Sequence, residues 1–365
     1  MISLLIGLIV SLIVTLIGTP LLIRLVHKLH YGQYIRQDGP QSHQVKRGTP
    51  TLGGVVINIA IVAGWVASAI YRYVAYQDKP SWTALLVLFA MLSMGLLGFI
   101  DDFAKVRKKQ NEGLTVGGKL FGQFVFATIF AVLALILPTK SGTPSAQAGI
   151  TYIEKPIVSF EFAGKAVAIV LFVIWVNFLM TAWTNAINLT DGLDGLASGS
   201  SMIAFAGYAL IAYWESYHLK GVGHQGFTYQ VSDPQDLAII AACAVAACFG
   251  FLWFNTNPAQ IFMGDTGSLA LGGLFAALSI ATHTEVLAVV IGALFVMETL
   301  SDVIQVGYFK MTHKRVFKMA PIHHHFELCG WHENTVVVRF WMMEMVCVLV
   351  GLVLFYSNWL MNSAL

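Results

Sequence analysis

The chain has 365 residues, 57% hydrophobic and 11% charged, with 21 basic against 19 acidic side chains for a formal net charge of +2. Soluble domains carry about 25% charged residues, so this chain lacks the charge to cover a water-facing surface; its mean hydropathy of +0.72 identifies a polytopic membrane protein. The near balance of charge leaves no basic excess to argue for nucleic acid.

A helix needs about 20 apolar residues to cross the hydrocarbon core. Ten candidate runs lie near residues 1–23, 49–71, 83–100, 120–138, 166–187, 196–214, 237–254, 266–284, 286–308 and 340–360. The ninth is interrupted by Glu298 and Asp302. The first does not read as a signal peptide, because no positive residue precedes it and no small-residue cleavage site follows it. Between the fourth and fifth runs, residues 139–163 carry Pro, Gly and Ser and then an alternating stretch, Ile150 to Phe162, which predicts a small β-hairpin. No internal repeat divides the chain, so residues 1–365 are expected to form one all-α integral-membrane domain.

With ten spans, the loops after odd-numbered spans share one face. Only six of the 21 basic residues (Arg72, Lys79, Lys140, Lys155, Lys165 and Lys220) fall on the other face, which leaves fifteen on this one. Lys and Arg concentrate in cytoplasmic loops, so the fifteen-residue face is expected to be cytoplasmic and both termini outside.

Each cytoplasmic loop carries a polar cluster: Lys46 to Thr51; Asp101 and Asp102 with Lys105 and Lys119; Asn185 to Asp194; Asn255 to Asp265; and Pro321 to Glu327. A transporter of anionic sugars, the rival from another functional class, would place its polar site near the midplane on broken helices. A catalytic face at the membrane boundary fits the pattern better. Even-numbered helices would start on this face, and helix N-termini favour phosphate. Thr49-Pro50-Thr51 and Asp265-Thr266-Gly267-Ser268 have the composition of such starts, with plain capping as the alternative.

Asp101 and Asp102 follow Gly98-Phe99-Ile100 and are expected to end an apolar helix. Adjacent carboxylates repel unless they share a cation or proton; metal coordination, a general base and a solvated helix end are the three readings. From Asn185 through Asn188 and Asp191 to Asp194 polar residues recur every third position, which puts amide and carboxylate oxygens on one side for Mg²⁺ or for ribose and base. Asn255, Phe262, Gly264 and Asp265 add an amide, an aromatic, a glycine and another carboxylate. His323, His324 and His325 are consecutive, so they do not share a helix face as a three-histidine zinc site requires; imidazoles can instead donate to phosphate or sugar. Gly113 to Lys119 approaches a P-loop, but Leu120 replaces its Ser/Thr. The cysteines, Cys243, Cys248, Cys329 and Cys347, form no CxxC pair, so neither a disulfide framework nor a zinc site is indicated.

Together these stretches resemble the polyprenyl-phosphate N-acetylhexosamine-1-phosphate transferase superfamily. The resemblance rests on KRGTPTLGG at 46–54, GFIDD at 98–102, NAINLTDGLDGLA at 185–197, residues 250–273 and MAPIHHHFE at 319–327. The first and last of these point to its muramoyl-pentapeptide branch, with the UDP-N-acetylglucosamine branch as the same-class alternative. The resemblance implies a multi-pass enzyme of the bacterial inner membrane. Undecaprenyl phosphate would attack the β-phosphate of UDP-MurNAc-pentapeptide, giving lipid I and UMP with Mg²⁺. Direct attack and a phospho-aspartate intermediate both stay open, as does a homodimer.

By resemblance, Asp265 is the metal ligand with Asn188 second, and Lys105 and Lys119 hold the diphosphate. Asp194 and Phe262 would recognise and stack uracil. Lys46, Thr51, Asn185, Asp191, Asn255, Gly264, Gln305, His323, His324 and His325 would line the rest of the nucleotide-sugar site. Asp101 would be the base near the lipid phosphate, supported by Asp102. Asp302 departs from the family pattern, which has an apolar residue there, and its role is open.

Overall fold

In the computed structural model, which describes residues 1–28, 48–108, 113–137, 139, 144–219 and 227–363, the apolar runs become helices in the expected order. They are α1 (Ile2–Lys28), α2 (Gly54–Tyr76), α3 (Trp82–Lys108), α4 (Val116–Ile136), α5 (Lys165–Thr190), α6 (Leu196–Tyr217), α7 (Pro234–Asn255), α8 (Gly264–Ala281), α9 (Glu285–Ile291), α10 (Ala293–Thr312), α11 (Ile322–Leu328) and α12 (Glu333–Ser363). Among the described residues nine helices are long and apolar enough to cross a membrane, or ten if α9 and α10 are one bent span.

The outer helices reverse the pattern of a soluble protein. On α1 the buried positions are Ser3, Gly7, Ser11, Thr15 and Thr19, one per turn, and then Val26, while Leu5, Ile9, Ile13 and Ile17 are exposed. Small residues let helix backbones approach within a bilayer, where apolar side chains gain nothing by turning inward. The Ser11 hydroxyl accordingly donates to the Cys243 carbonyl of α7 at 2.8 Å. The middle of the bundle is α8, buried continuously from Thr266 to Ala281 and apolar around its circumference, as a central helix must be.

Three expectations change. The ninth span is not continuous: α9 and α10 meet at Gly292 with a bend of 84°, and the break packs beneath the rings of Trp183 and Phe275. Asp101 and Asp102 do not end a helix, because α3 runs on to Lys108. Thr49-Pro50-Thr51 does not start α2 either. That helix begins at Gly54 with no side-chain cap; its entry is held by the Gly53 and Gly54 N–H groups donating to Phe262 and Met263 carbonyls at 3.0 and 2.9 Å, while Phe262 N–H donates to Pro50 at 2.8 Å. The starts of α2 and α8 are therefore tied together.

The hairpin is present. Strands β1 (Gly149–Ile153) and β2 (Lys155–Ser159) pair antiparallel with Gly149 opposite Ser159, and Phe160–Ala163 closes as a 3-10 turn. It docks on the far end of the bundle, where Glu285 accepts from the Thr151 N–H at 2.8 Å and from the Thr151 hydroxyl.

Candidate active site

At the opposite end from the hairpin, α3, α4, α5 and α8 bring the acidic residues together. Asp101, Asp102 and Asp265 each present an oxygen within 4.8 Å of the others. The helices approach this closely because α3 carries Gly98: a Cβ there would lie 2.1 Å from the Asp265 carbonyl oxygen. The turn into α8 requires Gly264, whose φ is +72° and whose Cβ would lie 2.6 Å from an Asp102 carboxylate oxygen.

Two lysines hold the carboxylates. Lys105 Nζ is 2.6 Å from Asp101, 3.8 Å from Asp102 and 3.3 Å from Asp265. Lys119 Nζ is 2.8 Å from Asp265 Oδ2. Lys119 sits in the first turn of α4, where the helix dipole disfavours a cation by about 0.3–1 kcal/mol; the Asp265 contact offsets that. On the other oxygen, Asn188 Nδ2 donates to Asp265 Oδ1 at 2.9 Å and also to the Ser268 hydroxyl at 2.8 Å.

The start of α8 is closed to an added anion. Asp102 accepts from Asp265 N–H at 3.1 Å, Thr266 N–H at 2.9 Å and the Thr266 hydroxyl at 2.7 Å, and the Gly264 N–H donates to Asp191. Carboxylates from α3 and from the end of α5 thus cap α8 from outside its own sequence, which suits the positive end of its dipole. The expected phosphate-binding helix start is corrected to an internally capped one, and the lysines are left to meet phosphate. Asp191 itself, at the C-cap of α5, is pushed up to about 8, first by burial and then by the nearby carboxylates, against the Gly264 hydrogen bond. Asp101 Oδ1 accepts from Leu114 N–H at 2.7 Å, which fixes the approach to α4.

The remaining residues singled out from the sequence divide. Thr51 and Phe262 border the same corner: Thr51 Oγ1 would lie 2.8 Å from a Cβ on Gly264, and the Phe262 ring is half-buried. Asp194 is buried, and one oxygen accepts from Asn257 at 3.3 Å and Ala259 N–H at 3.0 Å. Asn255 is buried between Ser198 at 2.8 Å and Ile261 at 2.9 Å. Asn185 turns to Gln123 and to the Thr181 carbonyl. Gln305 holds the backbone of Val316 and Phe317.

The three histidines take different hydrogen-bond partners, although the His323 and His324 rings meet edge to face with centroids 4.1 Å apart. His323 is fully buried 3.0 Å from Glu298, His324 bonds Glu327 at 2.8 Å, and His325 accepts from Lys318 N–H at 3.1 Å. Lys46 lies outside the described residues.

Thr266, Ser268 and Glu298 were not singled out as members of this network. Glu298 interrupts an apolar run in a visible way, but its histidine partner is 25 positions away. Thr266 and Ser268 read as ordinary helix-start residues, with nothing local to signal their partners on α3 and α5.

Comparison with known proteins agrees with the chemistry of this cluster. A family model described as glycosyl transferase family 4 matches residues 84–283, a stretch that contains Asp101, Asp102, Lys105, Lys119, Asn188 and Asp265. The chain is 77% identical over 365 residues to a phospho-N-acetylmuramoyl-pentapeptide-transferase of Bifidobacterium longum, covering 100% of this chain and 99% of the relative. It is 78% identical over 365 residues to that of Bifidobacterium adolescentis, covering 100% of each. Identity is 51% over 366 residues to that of Beutenbergia cavernae, covering 99% of this chain and 100% of the relative. Similarity this high along the whole length, with the acidic and basic residues meeting at one end of the bundle, means that the chain belongs to glycosyl transferase family 4 and, within it, to the phospho-N-acetylmuramoyl-pentapeptide-transferases.

Proposed function

We propose that residues 1–365 act as one integral-membrane unit that moves phospho-MurNAc-pentapeptide from UDP-MurNAc-pentapeptide to undecaprenyl phosphate. The lipid phosphate oxygen bonds to the β-phosphorus, the bond to the α-phosphate oxygen breaks, and UMP leaves with lipid I remaining in the membrane. The observation that carries this reading is the pairing of Lys105 and Lys119 with three aspartates at one end of the bundle, in a chain with these relatives. The fifteen-to-six division of basic residues supports placing that end in the cytoplasm, on the inner membrane.

Transfer between two anionic phosphates needs alignment and charge neutralisation above all. Lys105 and Lys119 are the partly exposed cations here, at 31% and 18% of full side-chain exposure, and they receive the diphosphate. Asp101, beside Lys105, takes the proton of the attacking lipid phosphate. Asp102, through its hydrogen bonds to Thr266 and Asp265, holds the end of α8 so that Asp265 faces the lysines. The half-buried ring of Phe262 stacks on the base.

The donor set suits Mg²⁺, a hard cation that binds carboxylate and amide oxygens. The ammonium of Lys105 already lies among the three carboxylates, so the cluster accommodates positive charge at its centre. Asp265 and the amide oxygen of Asn188 would hold the ion, with Asp101 and Asp102 adjacent. When bound, it supplies charge neutralisation at the diphosphate.

The test is to incubate purified chain in lipid nanodiscs with UDP-MurNAc-pentapeptide, undecaprenyl phosphate and Mg²⁺. UMP release with a lipid-linked product is expected, lost with a chelator and restored by Mg²⁺. Product formed only from UDP-N-acetylglucosamine assigns the chain to the sister activity. Transport without chemistry overturns the reading.

A further inference from the structure

The geometry of the site depends on where α4 stands, and α4 is a thinly anchored helix. Its buried positions are Gln123, Ala127, Phe130, Ala131 and Ala134, a narrow stripe, while Leu120, Phe121, Phe124, Ile129 and Ile136 are exposed. Gln123 is the first of these, the only polar one, and fully buried. Its Nε2 donates to Thr184 Oγ1 at 2.9 Å, and its Oε1 accepts from Asn185 at 3.4 Å, both on α5.

Gln123 lies one helical turn after Lys119, and Thr184 and Asn185 lie about one turn before Asn188. Lys119 and Asn188 in turn reach the two oxygens of Asp265, at 2.8 and 2.9 Å. From this juxtaposition we infer that Gln123 is a positioning residue for the transfer reaction: it fixes the rotation of α4 against α5 so that Lys119 and Asn188 bracket Asp265. The inference rests on the transferase activity proposed above.

Packing alone does not explain a glutamine here. A buried amide must be hydrogen-bonded to be tolerated, and polar side chains within spans are rare unless they serve a function. Side-chain hydrogen bonds between membrane helices add little stability, and Asn177 to Thr128 at 3.0 Å already joins α4 and α5 deeper in the bundle. Near the site, Leu114 N–H on Asp101 holds the approach to α4. Neither of these lies beside Lys119, and Gln123 adds an attachment to α5 one turn from that lysine.

The experiment is a double-mutant cycle with Gln123→Met, which keeps length and removes both bonds, and Lys119→Met. UMP release and thermal melting are followed in nanodiscs. Gln123→Met is expected to melt close to wild type and to lose about tenfold in kcat, because small misplacements of a reacting group are costly. Its KM for the nucleotide sugar should stay within about twofold, since the lysine charge is still present. The double variant should be no slower than Lys119→Met, because Gln123 acts through that lysine.

Wild-type kcat in Gln123→Met, or losses that multiply in the double variant, overturn the proposal. Should Gln123→Met melt early, Thr184→Val removes the acceptor of the same bond and must slow turnover likewise. Early melting of both assigns Gln123 to stability alone and also overturns it. A wild-type chain that releases no UMP removes the transferase reading itself, which is a different failure from a fast Gln123→Met.

Discussion

Two polar clusters occupy opposite ends of the helix bundle. Arg72 and Asp236 sit on α2 and α7 at the hairpin end; Gly54 and Asn255 mark the other ends of those helices, about 30 Å away by helical rise. At the hairpin end Arg72 pairs with Asp236, with side chains 4% and 1% exposed, and Trp65 also donates to Asp236 at 3.3 Å. Nearby, Glu154, Glu215, His283 and Glu285 are buried as well, and among the described residues neither oxygen of Glu215 has a hydrogen-bond partner. At the aspartate end three carboxylates lie within 4.8 Å of one another, but Lys105 and Lys119 face them and both lysines are partly exposed. Acidic residues gathered in a membrane protein do not by themselves make a reactive site. Access and a counter-charge that can be handed to a ligand separate the second cluster from the first.

The largest expected effect falls on the closed cluster. Arg72→Met leaves Asp236 buried beside Trp65 and without its guanidinium. Breaking a buried ion pair on one side costs about 3–5 kcal/mol, so the variant should melt well below wild type. The fraction that stays folded should turn over normally, because the lesion is a bilayer's width from the aspartates. A normal melting curve would mean that this pair is open to solvent and that the contrast between the two ends is false.

Asp265→Asn should behave in the reverse way. The change keeps shape and removes the charge that Lys105 and Lys119 share, so turnover should fall by at least about 10²-fold, the scale of losing one electrostatic stabiliser. Melting should stay near wild type, since two cations near one another are partly relieved by solvent. Near-normal Mg²⁺-dependent UMP release from this variant would remove Asp265 from the mechanism. Next in size is Phe262→Ala. If the half-exposed ring stacks on uracil, calorimetric titration should show UDP binding weakened by about 1–3 kcal/mol. Unchanged affinity with a lowered melting temperature would make Phe262 a packing residue, held in place by its backbone bonds to Pro50 and Gly53.

How far the sequence foretold this depends on the range of the interaction. Spans and hairpin were readable because their signals are local runs of apolar or alternating residues. The bend at Gly292 was not, because one glycine in an apolar run looks the same whether the helix continues or turns beneath Trp183. Asp101, Asp102 and Asp265 stood out as carboxylates beside apolar helices, yet only the fold reveals that Asp102 caps a helix 163 positions later. The same limit applies to Asn255. The resemblance implies that it lines the nucleotide-sugar site, and only the fold shows that its carbonyl and amino groups meet Ser198 and Ile261. Gln123 was not singled out from the sequence, because its meaning depends on Lys119 and Asn188 meeting across two helices.

The smallest expected effect concerns Asp191, the carboxyl at the C-cap of α5. Its native pKa is pushed up to about 8, against about 3.9 in an unfolded chain. Between those values the folded protein holds a proton that the unfolded chain has released, so stability from this group is full below pH of about 4 and is lost as pH rises through about 8. Asp191→Asn cannot ionise and lacks that loss, while its amide still accepts from Gly264 N–H. In chelator, to keep cations out of the cluster, the melting temperature of Asp191→Asn relative to wild type should therefore rise as pH goes from 5 to 8. The gap should stop growing above about pH 8. The effect is modest because Asp191 is only partly buried and water can relax around its charge. Parallel melting profiles for the two proteins would show that Asp191 is already ionised in the folded chain.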